Sequence, residues 1–294
     1  MLNIYILGAS GMLGYSIFTN LSEYKGFNVF GTVRNIRKKE NYFSEFKNKI
    51  IENIDISDLS SLEILFQKNK PDIVINCIGL IKQHSISKQY IQAIKVNALL
   101  PHELAHICDN YQAKLIHFST DCVFDGKSGN YQQTDIPTAT DLYGRSKYLG
   151  EVTYGKHLTL RTSIIGHELS SSVSLVDWFL NQKDQVNGYT KAIFSGFPTC
   201  YIAKLLAEKI IPNKNLNGLY HLSSEAIDKY TLLSDIAAVY HKDIIINPSE
   251  DLVIDRSLNS TLLRDKINCT PPSWNELIKD MYEDYNKRYK RYKK

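Results

Sequence analysis

The sequence predicts a doubly wound α/β fold, a parallel sheet with helices on both faces. Short runs rich in Val and Ile alternate with longer segments of helical spacing through the first half of the chain. A glycine-rich turn joins the first such run to the first helical segment, and a βαβαβ order implies right-handed crossovers into one sheet. Ligands of such a sheet bind beyond the carboxyl ends of its strands.

Residues 2–7 form the first apolar run, followed by Gly8-Ala9-Ser10-Gly11-Met12-Leu13-Gly14 and a helix over 12–21. Further strands are expected at 27–33, 50–54, 72–78 and 114–119, apolar enough to be buried on both faces. Helices are expected at 57–69, with Ser57 and Asp58 as caps, and at 93–110. After about Gly166 the alternation weakens. Glycines and prolines punctuate shorter elements, with a strand near 219–222 and a helix near 230–240. The division expected is a cofactor-binding domain over 1–165 and a smaller α/β substrate-binding lobe over 166–294, with some segments returning to the first domain.

Composition limits the function classes. The 294 residues are 43% hydrophobic and 22% charged, which is a globular profile. No apolar run approaches the ~18 residues of a membrane span. Five scattered cysteines without a CxxC pair argue for reduced thiols, a cytoplasmic setting and no metal site. The net charge is +4, but six positive charges fall in residues 287–294, leaving −2 for the rest. That basic tail reads as a solvated terminus, so no nucleic-acid partner is expected.

The glycine turn carries the first chemistry. Gly8 permits the tight turn, Gly11 a close approach to a pyrophosphate, and Gly14 the packing of helix on strand, while free N–H groups at the helix start face the anion. The candidate dinucleotide contacts are Gly8, Ser10, Gly11, Met12, Leu13 and Gly14. The second strand runs into Arg34-Asn35-Ile36-Arg37-Lys38-Lys39 with no acid before Glu40, which favours NADPH over NADH because a 2′-phosphate calls for a cation. Asp55, with the backbone at Ile56, is placed to accept from the adenine amino group. Cys77, Ile78 and Gly79 end the fourth strand beneath the ribose and pyrophosphate.

Tyr143 and Lys147 stand four apart, on one face of a helix. An ammonium beside the phenol lowers its pKa and makes it a usable proton donor. The fifth strand ends in Ser119-Thr120-Asp121, which brings the Thr120 hydroxyl to the sheet edge, able to donate to a substrate carbonyl.

Together with Val96-Asn97-Ala98, the run from Ser119 to Gly126, Leu160-Arg161-Thr162-Ser163, Gly196-Phe197-Pro198-Thr199 and the late Ser273-Trp274-Asn275-Glu276-Leu277, these motifs resemble the extended short-chain dehydrogenase/reductases of Rossmann fold. Within them the chain is similar to the dTDP-4-dehydrorhamnose reductases over nearly its whole length. The resemblance implies hydride transfer from a nicotinamide to a sugar C4 carbonyl. Tyr143 then donates the proton, Thr120 stabilises the oxyanion, Lys147 holds the nicotinamide ribose and Asn97 serves a proton relay. The implied substrate is a nucleotide-diphosphate sugar, a 4-keto-6-deoxyhexose used in polysaccharide biosynthesis. A homodimer is left open.

Two positions depart from that branch. Cys122 stands where a tyrosine commonly follows STD, and Ile164 where a tryptophan commonly follows LRTS, so the sugar itself is open. Lys82, in a loop after the fourth strand, and Asp121 and Arg256 are further substrate-pocket candidates. His84 reads as a loop histidine and Cys122 as an inert wall thiol. The competing readings are a nucleotide-sugar epimerase, which would retain NAD, and a non-catalytic regulatory subunit of the kind that serves methionine adenosyltransferase. The intact Thr120, Tyr143 and Lys147 weigh against the last.

Overall fold

The computed structural model describes residues 1–80 and 89–293, and a seven-stranded parallel sheet forms its centre. In chain order the first half comprises β1 (Leu2–Leu7), α1 (Met12–Leu21), β2 (Phe27–Thr32), β3 (Ile50–Ile51), α2 (Ser60–Lys68) and β4 (Ile73–Asn76). Helix α3 (Tyr90–Ala93) continues through a π-helical turn (Ile94–Leu99) into α4 (Leu100–Asn110), and β5 (Lys114–Thr120), α5 (Leu142–Leu149) and β6 (Leu158–Thr162) follow. Short elements succeed them: β7 (Ile164–Ile165), α6 (Leu175–Asn181), β8 (Gln185–Tyr189), β9 (Ala192–Phe194), β10 (Phe197–Pro198), α7 (Thr199–Leu205) and β11 (Gly218–His221). The chain closes with β12 (Ile227–Asp228), α8 (Lys229–Val239), β13 (Ile245–Ser249), β14 (Ile254–Asp255), α9 (Thr261–Ile267) and α10 (Trp274–Arg288).

The strand order is β11-β6-β5-β4-β1-β2-β3. Winding reverses between β1 and β4, so a crevice opens where their carboxyl ends part. Along β1 the side chains alternate between two cores. Ile4 and Ile6 join Phe18, Leu21, Ile202 and Leu206 on one face, whereas Tyr5 and Leu7 join Phe66, Leu104 and Leu115 on the other. This two-sided burial is why the strands read as continuous apolar runs. A third core of Val176, Phe179, Leu232, Ile236, Ile278 and Met281 fills the smaller lobe.

Element boundaries shift where side chains take other partners. Helix α2 begins at Ser60 rather than 57, because Asp55 Oδ1 accepts from both the backbone N–H and the hydroxyl of Ser57 at 2.9 Å. Asp58 accepts from Ser60 N at 3.0 Å. The third strand keeps two residues of the five expected. From the second half, β11 returns to pair with β6 at the sheet edge.

The basic tail is not a solvated terminus, which corrects the expectation from its charge. Tyr282, Tyr285, Tyr289 and Tyr292 recur at intervals of three and four, an apolar stripe along a helical path. Tyr289 is 1% exposed and lies edge-on to Tyr15 at 5.3 Å, and Tyr292 packs on Tyr42 at 4.8 Å. The cations face partners: Arg288 pairs with Glu23 (2.6 Å) and Asp284 (2.7 Å), Arg291 with Glu45 (2.6 Å), and Lys293 with Asp177 (2.6 Å). The tail thus joins the smaller lobe to α1 and to the 3₁₀ segment Glu40–Phe46.

Tyr289→Ala removes a buried ring at this junction and is expected to cost roughly 3–5 kcal/mol. Urea unfolding checks it, and a midpoint equal to that of the unaltered chain would contradict the docked arrangement.

Candidate active site

The first βα turn is fixed by backbone contact. Gly8 has φ +82°, and a Cβ on Gly14 would lie 2.2 Å from the Gly8 carbonyl oxygen, so the helix reaches the strand only without a side chain there. Helix α1 has Gly11 at its N-cap and no capping side chain, and its first internal bond runs from Tyr15 N to Gly11 O at 2.8 Å. The N–H groups of Met12, Leu13 and Gly14 therefore lead that bond with no intrahelical acceptor, the arrangement that receives a phosphate. The turn fits a dinucleotide pyrophosphate.

The rim of the crevice adds charge. Arg34 is exposed just after β2, and Lys39 Nζ donates to Ser10 O at 3.2 Å within the glycine turn. Burial lowers the Lys39 pKa, opposed by Glu168. Sequence reasoning noticed Lys39 only as one of a basic run. Its seat against the loop depends on a turn with φ 67° at Lys38, which no motif signals. Asp55 is exposed, and its hydrogen bonds from Ser57 hold its pKa low, with a smaller contribution from Arg34. Ile56 follows it, half-buried. Across the crevice Cys77 N donates to Leu7 O at 3.0 Å, and Ile78 N to Asn76 Oδ1 at 3.0 Å. Burial pushes the Cys77 thiol up, so it is a wall and not a nucleophile. Gly79 is exposed beside this wall. Lys82 and His84 lie outside the described residues.

Thr120, Tyr143 and Lys147 come together at the end of β5. Asp141 caps α5 by accepting from Gly144 N at 2.8 Å. A Cβ on Gly144 would sit 2.2 Å from the Cys122 carbonyl oxygen, so α5 presses on the segment that follows Thr120. This contact brings Tyr143 within hydrogen-bonding reach of the Thr120 hydroxyl. Thr120 Oγ1 also donates to Asp121 Oδ1 (3.0 Å) and accepts from Cys122 N (3.1 Å).

Burial is the largest influence on both ionisable members. It pushes the Tyr143 phenol up, with Cys122, Asp121 and Asp141 acting the same way and Thr120 opposing. Lys147, 6% exposed, donates to Phe118 O at 2.7 Å, and its ammonium is lowered to about 8 by burial, with Glu151 opposing. The phenol is thus raised and not lowered, contrary to the expectation from Lys147. Tyr143 stands as a neutral phenol, the form that gives up a proton.

Asn97 sits in the π-helical turn. Its Oδ1 accepts from Leu80 N (2.9 Å), and its Nδ2 faces Leu80 O (3.3 Å) and Ser146 Oγ (3.2 Å). The amide therefore ties the end of the β4 loop to α5, and its direct role here is positioning. Asp121 touches the site through Thr120, and Arg256 donates from Nε to Phe124 O (2.8 Å) with Nη1 3.9 Å from Cys122 Sγ. Sequence reasoning missed Lys229. It carries no motif, and only the folded lobe brings it near Asp121, Arg256 and Cys122.

A family model described as RmlD substrate binding domain matches residues 2–287. The probable low-salt glycan biosynthesis reductase Agl14 of Haloferax volcanii is 33% identical over 150 residues, a match spanning 50% of this chain and 47% of that protein. Methionine adenosyltransferase 2 subunit beta of Xenopus laevis is 24% identical over 92% of this chain and 78% of its own length. Among solved structures, a dTDP-4-dehydrorhamnose reductase of Bacillus anthracis in complex with NADP superposes with a TM-score of 0.77 at 20% identity, covering 97% of this chain and all of that one. The glycine turn, the switch-point crevice and the Thr120–Tyr143–Lys147 cluster accord with this match, and the chain belongs to the RmlD substrate binding domain family.

Proposed function

We propose that the chain is an NADPH-dependent reductase of a nucleotide-linked 4-keto-6-deoxyhexose. The observation that carries this reading is the convergence of Thr120, Tyr143 and Lys147 at the strand end facing the β1/β4 crevice. A bound nicotinamide supplies the hydride. Tyr143, neutral and half-buried, donates its proton to the developing alkoxide, and the Thr120 hydroxyl turns from Asp121 to the same oxygen. Lys147 leaves its carbonyl partner for the ribose and compensates the phenolate that Tyr143 becomes. Asn97 keeps α5 and the β4 loop in register while this happens. Arg34 and Lys39 flank the adenosine end and support NADPH over NADH. Five free thiols support a reducing, cytoplasmic setting. Cys122 and Ile164 stand where a tyrosine and a tryptophan are common in the rhamnose branch, so the sugar itself stays open.

A second reading, a non-catalytic subunit, is favoured by the match to the Xenopus protein over 92% of this chain. Turnover separates the two. Tyr143→Phe keeps the ring and removes one hydroxyl, so kcat is expected to fall by ~10²–10⁴ with KM little changed. Single-turnover hydride transfer to a panel of dTDP-, UDP- and GDP-linked 4-keto-6-deoxy sugars measures it. A variant rate within threefold of the unaltered enzyme would remove Tyr143 from the mechanism.

The cofactor reading is tested by affinity. One charge-assisted phosphate contact of roughly 1.5–3 kcal/mol gives about a 10- to 150-fold preference for NADPH. Arg34→Ala and Lys39→Met are each expected to reduce that preference and to leave NADH binding nearly unchanged. Equal affinity of the unaltered protein for the two cofactors would overturn it.

Lys147 adds a pH signature in the cofactor-free protein. Its folded value, about 8, lies below the ~10.4 of an unfolded lysine. Between these values the unfolded chain holds a proton the folded chain has lost, so stability gains an upward slope of at most ~1.4 kcal/mol per pH unit. Lys147→Met is expected to remove that increment, measured by urea unfolding from pH 7.5 to 9.5. An identical slope in the variant would contradict the buried, depressed ammonium.

A further inference from the structure

The basic tail reaches the cofactor crevice from outside. Lys39, the cation seated on the glycine turn, shares a turn with Tyr42, whose N–H donates to Lys39 O at 3.0 Å. Tyr42 is 7% exposed and stands between two rings, Tyr15 of α1 edge-on at 5.8 Å and Tyr292 of the tail at 4.8 Å. Three residues on, Glu45 Oε1 accepts from Arg291 Nη2 at 2.6 Å. The tail therefore walls the outer side of the segment that carries Lys39.

A third tail contact approaches Lys39 from the smaller lobe. Lys293 Nζ donates to Asp177 Oδ1 at 2.6 Å, and Asp177 Oδ2 accepts from Glu168 N at 2.6 Å. Asp177 is buried, with His167 Nδ1 2.7 Å from the oxygen that Lys293 meets. The Glu168 carboxylate is fixed in turn, accepting from Val173 N (2.7 Å) and Ser174 N (3.0 Å), and its charge acts on the Lys39 ammonium. One short stretch of chain thus fixes both the turn that bears Lys39 and the carboxylate near it.

The loop around Lys39 does not hold this shape through its own contacts. Lys38 has φ 67°, a left-handed conformation that a lysine keeps only where its surroundings impose it. Lys38 N donates to Glu40 Oε1 at 3.0 Å, but both residues are exposed. The next buried residue after Lys39 is Tyr42, and the tail supplies one of the two rings that hold it.

We propose that Arg291, Tyr292 and Lys293 are positioning residues for the cofactor: they hold Lys39 over the glycine turn and thereby set the preference for NADPH over NADH. The inference rests on the NADPH reading given above. A lysine side chain already seated loses less rotamer freedom on meeting a phosphate than one free in solvent, and the tail supplies that preorganisation. A contact made to the 2′-phosphate alone changes the affinity for NADPH and leaves that for NADH where it was.

Fluorescence titration of the cofactor-free protein with NADPH and with NADH tests this. The triple variant Arg291→Ala/Tyr292→Ala/Lys293→Ala is expected to bind NADPH roughly fivefold more weakly or worse, and NADH within about twofold of the unaltered protein. Tyr292→Ala in the otherwise unaltered chain is expected to lose about threefold for NADPH, and Tyr292→Phe, which keeps the ring, to restore it. In a Lys39→Met background the triple replacement is expected to change NADPH affinity by less than about twofold, because the tail acts through Lys39. Should the triple variant not fold, Tyr292→Ala against Tyr292→Phe decides by the same ratio. NADPH affinity unchanged by the tail replacements would overturn the assignment, and so would an equal weakening of both cofactors, which is what a merely structural tail gives; both results leave the NADPH reading in place. If the unaltered protein binds the two cofactors equally, the NADPH reading fails and takes this one with it.

Discussion

The carboxyl end of the sheet at β5 and β6 depends on one buried ion pair. Arg161 on β6 meets Glu151, just beyond α5, through two bonds of 2.7 Å, with both side chains 3% exposed. Removing two charges from water costs several kcal/mol each, and such a pair holds only when its remaining valences are filled. Here Ser119 donates to Glu151 at 2.6 Å, His221 Nε2 lies 3.3 Å from Arg161, and the Phe124 ring lies under the guanidinium at 5.3 Å. Burial, and then the Arg161 charge, lower His221 to about 4, which keeps it neutral. The network joins β5, β6, β11 and the end of α5. Thr120 follows Ser119 directly, so the position of its hydroxyl relative to the helix bearing Tyr143 and Lys147 is set here.

The remaining constraints act through backbone contact and not charge. Gly14 against Gly8 and Gly144 against Cys122 bring a helix to a strand end at distances that no side chain permits. The first orients N–H groups toward a phosphate, and the second brings a phenol to a hydroxyl. Burial then sets protonation: His117, beneath the site, is held neutral by desolvation and by the charge of Lys147.

How legible these features were in the sequence depended on whether the cause was local. Helix α1 begins and ends where its glycine turn and apolar spacing said, because the chain within a few residues decides both. The strands of the main sheet were legible as apolar runs, although β3 was shortened once the chain found its own turn. The π-helical turn around Asn97 carries no compositional mark, since it arises from packing against α5. Lys229 and Arg256 lie 27 positions apart, the first opening α8 and the second just after β14, so no local pattern signals their nearness. The tail was misread because its six charges outweighed a tyrosine stripe that was equally visible in the letters.

The route of the chain has a consequence for biosynthesis. The core around β1 and α1 includes Leu277 and Tyr289, from far later in the chain, and the sheet edge is finished by β11. An emerging amino-terminal half therefore exposes apolar surface that only much later residues cover. During that interval the nascent first half is a client for chaperones, and a stalled or prematurely terminated chain leaves a sticky intermediate in place of an independent folded unit.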